Sequence, residues 1–242
     1  MLKILYISPV GTDVFDKDVL ETIRKIKRRD VRAKVVHLSR GPAHLEYHYY
    51  EHLNLGETLE WVKWAEKGGY DAVIIGCFYD PGFREAQELV SIPVVPVALA
   101  TMHVAATLGH KFSIIVGRRK CIPKMESNVQ MYGLDRKLAS FRVVNFAVPR
   151  MAEEPEKLKK AILAEAKKAI EEDGAEVIVL GCTAESGFMK ELISKLRVPV
   201  LDPVVTSWKY AEMMADLYQK VGLTHSRLYG FEPPPNQHEN YI

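Results

Sequence analysis

The chain repeats itself, and the repeat limits what it can fold into. Lys3-Ile4-Leu5-Tyr6-Ile7 matches Lys111-Phe112-Ser113-Ile114-Ile115 at an offset of 108 residues. Gly69-Tyr70-Asp71-Ala72-Val73-Ile74-Ile75-Gly76-Cys77 matches Gly174-Ala175-Glu176-Val177-Ile178-Val179-Leu180-Gly181-Cys182 at 105, and Gly82-Phe83 and Gly187-Phe188 keep that spacing. Ile92-Pro93-Val94 and Val198-Pro199-Val200 follow at 106. Matches in one order at nearly constant offset describe two related halves.

Within each half, β-branched apolar runs alternate with helical patterns. Lys3–Ile7, Ala33–Leu38, Ala72–Ile75, Val94–Val97, Phe112–Val116, Arg142–Phe146, Glu176–Leu180 and Val200–Leu201 read as strands. Asp16–Arg29, Glu57–Lys67, Ala98–Leu108, Glu156–Glu172 and Thr206–Val221 read as helices, several of them followed by glycine. The alternation predicts an α/β protein of two pseudo-symmetric Rossmann-like (flavodoxin-like) subdomains with parallel sheets and an active site in the cleft between them. Residues 1–99 with 207–242 are expected to form the first subdomain, and 100–206 the second. The tail, Pro233-Pro234-Pro235 and then Asn236–Asn240, reads as an extended cover.

Composition narrows the function. A net charge of +2, with basic and acidic residues interspersed, gives no nucleic-acid footprint. No apolar run reaches membrane-spanning length, and MLKILYISPVG lacks signal-peptide architecture. Three cysteines, an odd number, argue against a secreted disulfide scaffold, so free thiols in a reducing cytoplasm are expected.

Two of those cysteines, Cys77 and Cys182, end matched strands, in GCFYDPG and GCTAESG. Open parallel sheets bind ligands beyond the carboxyl ends of their strands. Asp80 is expected to cap a helix starting at Pro81, and Glu185 or Ser186 one running through Gly187–Leu196, with helix dipoles lowering the thiol pKa values. A facing pair of thiols suits racemisation: one sulfur removes a proton from a carbon and the other returns one to the opposite face. Backbone N–H groups after each cysteine would hold the developing enolate oxygen. Cys121 has no counterpart in the first half and reads as a structural thiol.

These motifs resemble the Asp/Glu/hydantoin racemase superfamily, most closely its hydantoin racemase branch, over roughly residues 1–222. GCFYDPG, Ile92-Pro93-Val94-Val95, Gly41-Pro42-Ala43-His44-Leu45-Glu46 and Gly181-Cys182-Thr183 carry the resemblance. It implies a racemase without cofactor or metal, with Cys77 and Cys182 as the catalytic acid–base pair, a small-molecule substrate and a homo-oligomer. Pro9, His44, Phe78, Tyr79, Gly117, Arg118, Thr183 and Ala184 are the corresponding substrate-binding candidates. The chain departs from the family pattern at Ser8-Pro9-Val10, where an Asn-Pro-Asn segment is usual, and at Gly117-Arg118-Arg119, where threonines are usual. Thr183-Ala184-Glu185 replaces the small residues and glycine typical of the branch.

A 5-substituted hydantoin or related cyclic ureide is the expected substrate. An amino acid such as aspartate or glutamate, decarboxylase or isomerase chemistry, and a non-catalytic ligand sensor are the alternatives. His48-Tyr49-Tyr50-Glu51-His52 spells a zinc-peptidase pattern, H-x-x-E-H, but no third ligand follows by spacing, and a polar helix face is expected there.

Overall fold

A computed structural model describes residues 1–235; residues 236–240 of the expected tail cover lie outside the described residues. The first sheet contains β1 (Leu2–Ser8), β2 (Val31–His37), β3 (Ala72–Ile75) and β4 (Val94–Pro96), in the order β2-β1-β3-β4. The second contains β5 (Phe112–Val116), β6 (Leu138–Val143), β7 (Val177–Leu180) and β8 (Val200–Leu201), in the order β6-β5-β7-β8. All pairings are parallel, and the two orders are the same permutation, so the sequence repeat is a repeat of topology. β1, β3, β5 and β7 are almost fully apolar because helices cover both sheet faces.

The helices are α1 (Asp16–Ile26), α2 (His48–Lys67), α3 (Phe83–Leu89), α4 (Val97–Leu108), α5 (Ile122–Met131), α6 (Val148–Glu153), α7 (Pro155–Asp173), α8 (Met189–Leu196) and α9 (Pro203–Val221). Two of them change partners. α4 leaves the first sheet at β4 but packs against β7 of the second, whereas α9 leaves the second sheet at β8 and packs on β1, β3 and β4 of the first. The two crossing helices also pack on each other. Trp208 on α9 is fully buried in the core that results, with Ala211 and Ala215 one and two turns on.

Several expected boundaries move. β6 begins four residues earlier than expected, because Leu138 to Val143 pair with β5 while Val144 to Phe146 form a loop. α2 starts at His48 rather than Glu57, so the H-x-x-E-H segment is its first turn, where Glu51 is held by Lys124 at 3.0 Å. Among the described residues no three His, Cys, Asp or Glu side chains converge as a metal-ligand set.

Asp80 does not cap a helix at Pro81. It takes a left-handed conformation (φ 51°), the following helix waits until Phe83, and the carboxylate instead accepts from Ala98 N (2.8 Å), Leu99 N (2.9 Å) and the Tyr132 hydroxyl (2.8 Å). It therefore caps α4, the helix that crosses to the other sheet. Glu185 and Ser186 do not cap α8 either. Ser186 donates to Asp202 (2.8 Å), which also accepts from Gly187 N (2.8 Å), Val204 N (2.9 Å) and Val205 N (3.2 Å). Each half thus ties its cysteine loop to its crossing helix through one buried carboxylate, supplied by the loop in the first half and by the helix in the second. Asp80→Ala leaves two buried amides without an acceptor and is expected to cost about 1–3 kcal/mol, read as a lowered midpoint in thermal or urea denaturation.

Candidate active site

Cys77 and Cys182 occupy equivalent positions at the ends of β3 and β7, held by matching backbone hydrogen bonds. Gly76 N donates to Ile7 O at 2.8 Å, and Gly181 N donates to Ile115 O at 2.8 Å. Asp80 N closes a turn on Cys77 O at 3.1 Å, and Glu185 N closes the matching turn on Cys182 O at 3.0 Å. Both glycines are required by close packing: a Cβ at Gly76 would lie 2.3 Å from the Tyr6 ring, and one at Gly181 would lie 2.4 Å from Ile115 O. The two loops meet where Thr183 Oγ1 donates to Gly76 O at 3.3 Å.

The cysteines share one cleft with two adjoining compartments, whose empty space of about 440 and 500 Å³ includes open solvent at their mouths. The outer compartment is lined by Phe78, Tyr79, Gly117, Met125 and Met151 together with both cysteines. The inner one is lined by Tyr6, Pro9, His44 and Ala184, again with both cysteines, and Thr183 borders both. Of the sequence candidates only Arg118 lines neither. Its guanidinium lies at the rim, 3.4 Å from the buried carboxylate of Glu46.

Sequence reasoning missed several contributors, among them Tyr6 and Met125. Cys121 is buried in the outer wall, on a 3-10 turn beyond the end of β5, and its position at a strand's carboxyl end was the available signal. Glu46 reaches in from the segment before α2 and accepts from Val148 N at 3.3 Å, joining the two halves across the mouth. Val148 and Met151 come from α6, a six-residue helix whose sequence carries too little periodicity to stand out.

Electrostatics overturn the expectation of acidic thiols. Burial pushes Cys77 up to about 12, against the opposing effect of the Tyr79 amide, which donates to Sγ at 3.5 Å. Burial also raises Cys182 well above the ordinary thiol value, Glu185 adds to the rise, and the Ala184 amide opposes it. The dipoles cannot compensate, because α3 and α8 start only at Phe83 and Met189, well past the sulfurs. The amides two residues after each cysteine are directed at sulfur, where they favour thiolate.

Glu185 is the repeat counterpart of Asp80, yet it is fully buried and neither carboxylate oxygen has a hydrogen-bond partner. Burial pushes it up to about 8 from an ordinary 4.5, so it is a neutral acid at pH 7.

Both thiols thus line one cleft in a protein of two topologically repeated parallel α/β halves. The profile of the Asp/Glu/Hydantoin racemase family matches residues 4–211, and the chain belongs to that family. It is 33% identical to a hydantoin racemase from Pseudomonas sp. (strain NS671) over 219 residues, which are 90% of this chain and 88% of the relative. An allantoin racemase from Pseudomonas fluorescens superposes with a TM-score of 0.89 at 27% identity, covering 96% of this chain and 97% of its own. A glutamate racemase from Bacillus anthracis shares the fold alone, with a TM-score of 0.63 at 16% identity and coverage of 93% and 84%. The chain is an isomerase of the racemase class.

The Glu185 geometry sets a pH dependence of stability. Between pH 4.5 and 8 the folded state keeps a proton that the unfolded chain has lost, so stability is unpenalised below 4.5 and falls as pH rises towards 8. Glu185→Gln keeps the shape and removes the titration. Its melting temperature is expected to exceed that of the wild type by a margin that widens by several degrees, at about 2–4 °C per kcal/mol, from pH 5 to pH 8.5. Parallel melting curves at the two pH values would contradict the assignment.

Proposed function

We propose that the chain racemises 5-substituted hydantoins or related cyclic ureides by 1,1-proton transfer between Cys77 and Cys182, without a cofactor. The observation that carries this reading is the matched pair of sulfurs on one cleft. A thiolate at one sulfur takes the proton from the ring carbon, and the C–H electron pair enters the enolate. The thiol opposite then delivers its proton to the other face. Burial suits the step, since a thiolate with a high conjugate pKa is a strong base towards a carbon acid. A hydantoin's α-proton is also more acidic than an amino acid's, because its ring carbonyl is not an anionic carboxylate.

The lining favours a neutral ring over an amino acid. Among the described residues no Lys or Arg lines either compartment, and Arg118 is engaged by Glu46 at the rim. The carboxylate of Glu46 in the outer wall would repel a substrate carboxylate and can accept a ring N–H. The curated relative named hydantoin racemase and the structural relative named allantoin racemase agree with a cyclic ureide.

Cys77→Ser and Cys182→Ser are each expected to lower α-proton exchange into deuterated water by about 10²–10⁴-fold in a screen of hydantoins, allantoin, aspartate and glutamate. Exchange that survives both substitutions would end the two-cysteine mechanism, and exchange only with aspartate or glutamate would end the ureide assignment. With thiols raised by burial, the wild-type rate is expected to climb as pH rises above neutrality.

A further inference from the structure

Tyr6 carries a hydroxyl that the fold does not need. Its ring lies in the core at the end of β1, 1% exposed, and its Oη has no hydrogen-bond partner. The repeat supplies a built-in comparison, because Tyr6 corresponds to Ile114, which fills the same place in the second half with hydrocarbon alone. An orphaned buried hydroxyl is a net cost to folding, so its presence on one side only calls for a partner that appears at another moment.

The position of the hydroxyl identifies that partner. A Cβ at Gly76 would lie 2.6 Å from Oη, so the phenol is wedged against the residue that precedes Cys77. Tyr6 lines the inner compartment beside both cysteines. Of the other hydroxyls on that wall, Ser8 donates to Asp16 at 2.8 Å, while Thr183 donates to the Gly76 carbonyl at 3.3 Å and keeps lone pairs that compete with sulfur for the phenol proton. Negative charge at Cys77 is the strongest charge effect that the phenol feels, ahead of Asp202 and Cys182, and burial keeps the phenol protonated and able to donate. Cys182 has Ile114 in the matching place, which offers a thiolate there no donor.

We propose that Tyr6 is a positioning residue for proton transfer: its O–H turns to the Cys77 sulfur when that sulfur is a thiolate, and so makes Cys77 rather than Cys182 the resting base. When the Cys77 thiolate takes the substrate proton, an S–H bond forms, the C–H pair becomes the enolate, and the phenol loses its acceptor. Cys182 then gives up its S–H proton to the opposite face. The symmetric scaffold is biased by one hydroxyl, present beside Cys77 and replaced by hydrocarbon beside Cys182.

This inference rests on the acid–base reading of the two cysteines, and its test separates the two. In Tyr6→Phe, the pH dependence of iodoacetamide alkylation, resolved by peptide mapping, reports each thiolate without any substrate. The Cys77 midpoint is expected to move upwards by about one unit, as for loss of one hydrogen bond to a charged group, while that of Cys182 stays in place. Turnover is expected to show a kcat reduced about tenfold, a KM within about twofold and a rate profile displaced to higher pH. The melting temperature is expected to stay level or rise. An unmoved Cys77 midpoint overturns the proposal, as does a raised KM with unchanged kcat, which would make the phenol a substrate contact. A lowered melting temperature with an unmoved rate profile also overturns it, since the hydroxyl would then be structural. Loss of turnover on every ureide in the wild type, with the Cys77 shift intact, would count against the substrate reading alone.

Discussion

The exchange of helices α4 and α9 between the two sheets is the constraint on which the site depends. A parallel sheet needs both faces covered, and here each half covers part of the other. The crossing fixes the halves face to face, so the carboxyl ends of β3 and β7 open on the same cleft. Asp80 and Asp202 hold the arrangement at its most demanding point, where a helix start would otherwise bury unpaired amides. Because the same two carboxylates also fix the loops that carry the cysteines, the fold and the thiol positions share one set of hydrogen bonds.

The symmetry is close in topology and in the hydrogen bonds around the cysteines, and broken in chemistry. Gly76 and Gly181, and the turns closed by Asp80 and Glu185, superimpose in role. The side chains beneath them do not: tyrosine opposes isoleucine, and a satisfied aspartate opposes an unpartnered glutamate. A racemase must accept both enantiomers of a substrate, so near-equivalent sulfurs suit the reaction. Under the proposed two-cysteine mechanism one sulfur must nevertheless be ionised when a substrate arrives, and small asymmetries around a symmetric pair are enough to decide which. The high thiol pKa values set by burial make those asymmetries matter more, because in a site of low dielectric a single dipole or charge shifts the balance between two otherwise equal groups.

The failures of sequence reasoning were specific. GCFYDPG was legible as a cysteine at a strand end, but the aspartate's target was not. Asp-Pro-Gly reads as a local helix start, whereas Asp80 takes a left-handed turn and reaches a helix 17 residues further along the chain. A helix dipole lowers a thiol's pKa only where the helix begins beside it, and the delay of α3 to Phe83 and of α8 to Met189 leaves burial in control. Cys121 and Glu46 enter the site through the packing of segments that carry no repeat signal, and no local rule brings them there.

By itself the sequence determined the two-half α/β organisation, the strands of both sheets apart from the limits of β2 and β6, and the placement of Cys77 and Cys182 at matched strand ends. These are matters of periodicity and repetition, which are local and survive without coordinates. Only the tertiary structure decided which carboxylate caps which helix, that the thiols are raised and not lowered, and that Tyr6 and Glu185 lack partners while Ile114 and Asp80 need none or have theirs. Burial and long-range hydrogen bonding are properties of the packed chain. They depend on which residues meet across the crossing of α4 and α9, and that meeting is not written in any one stretch of sequence.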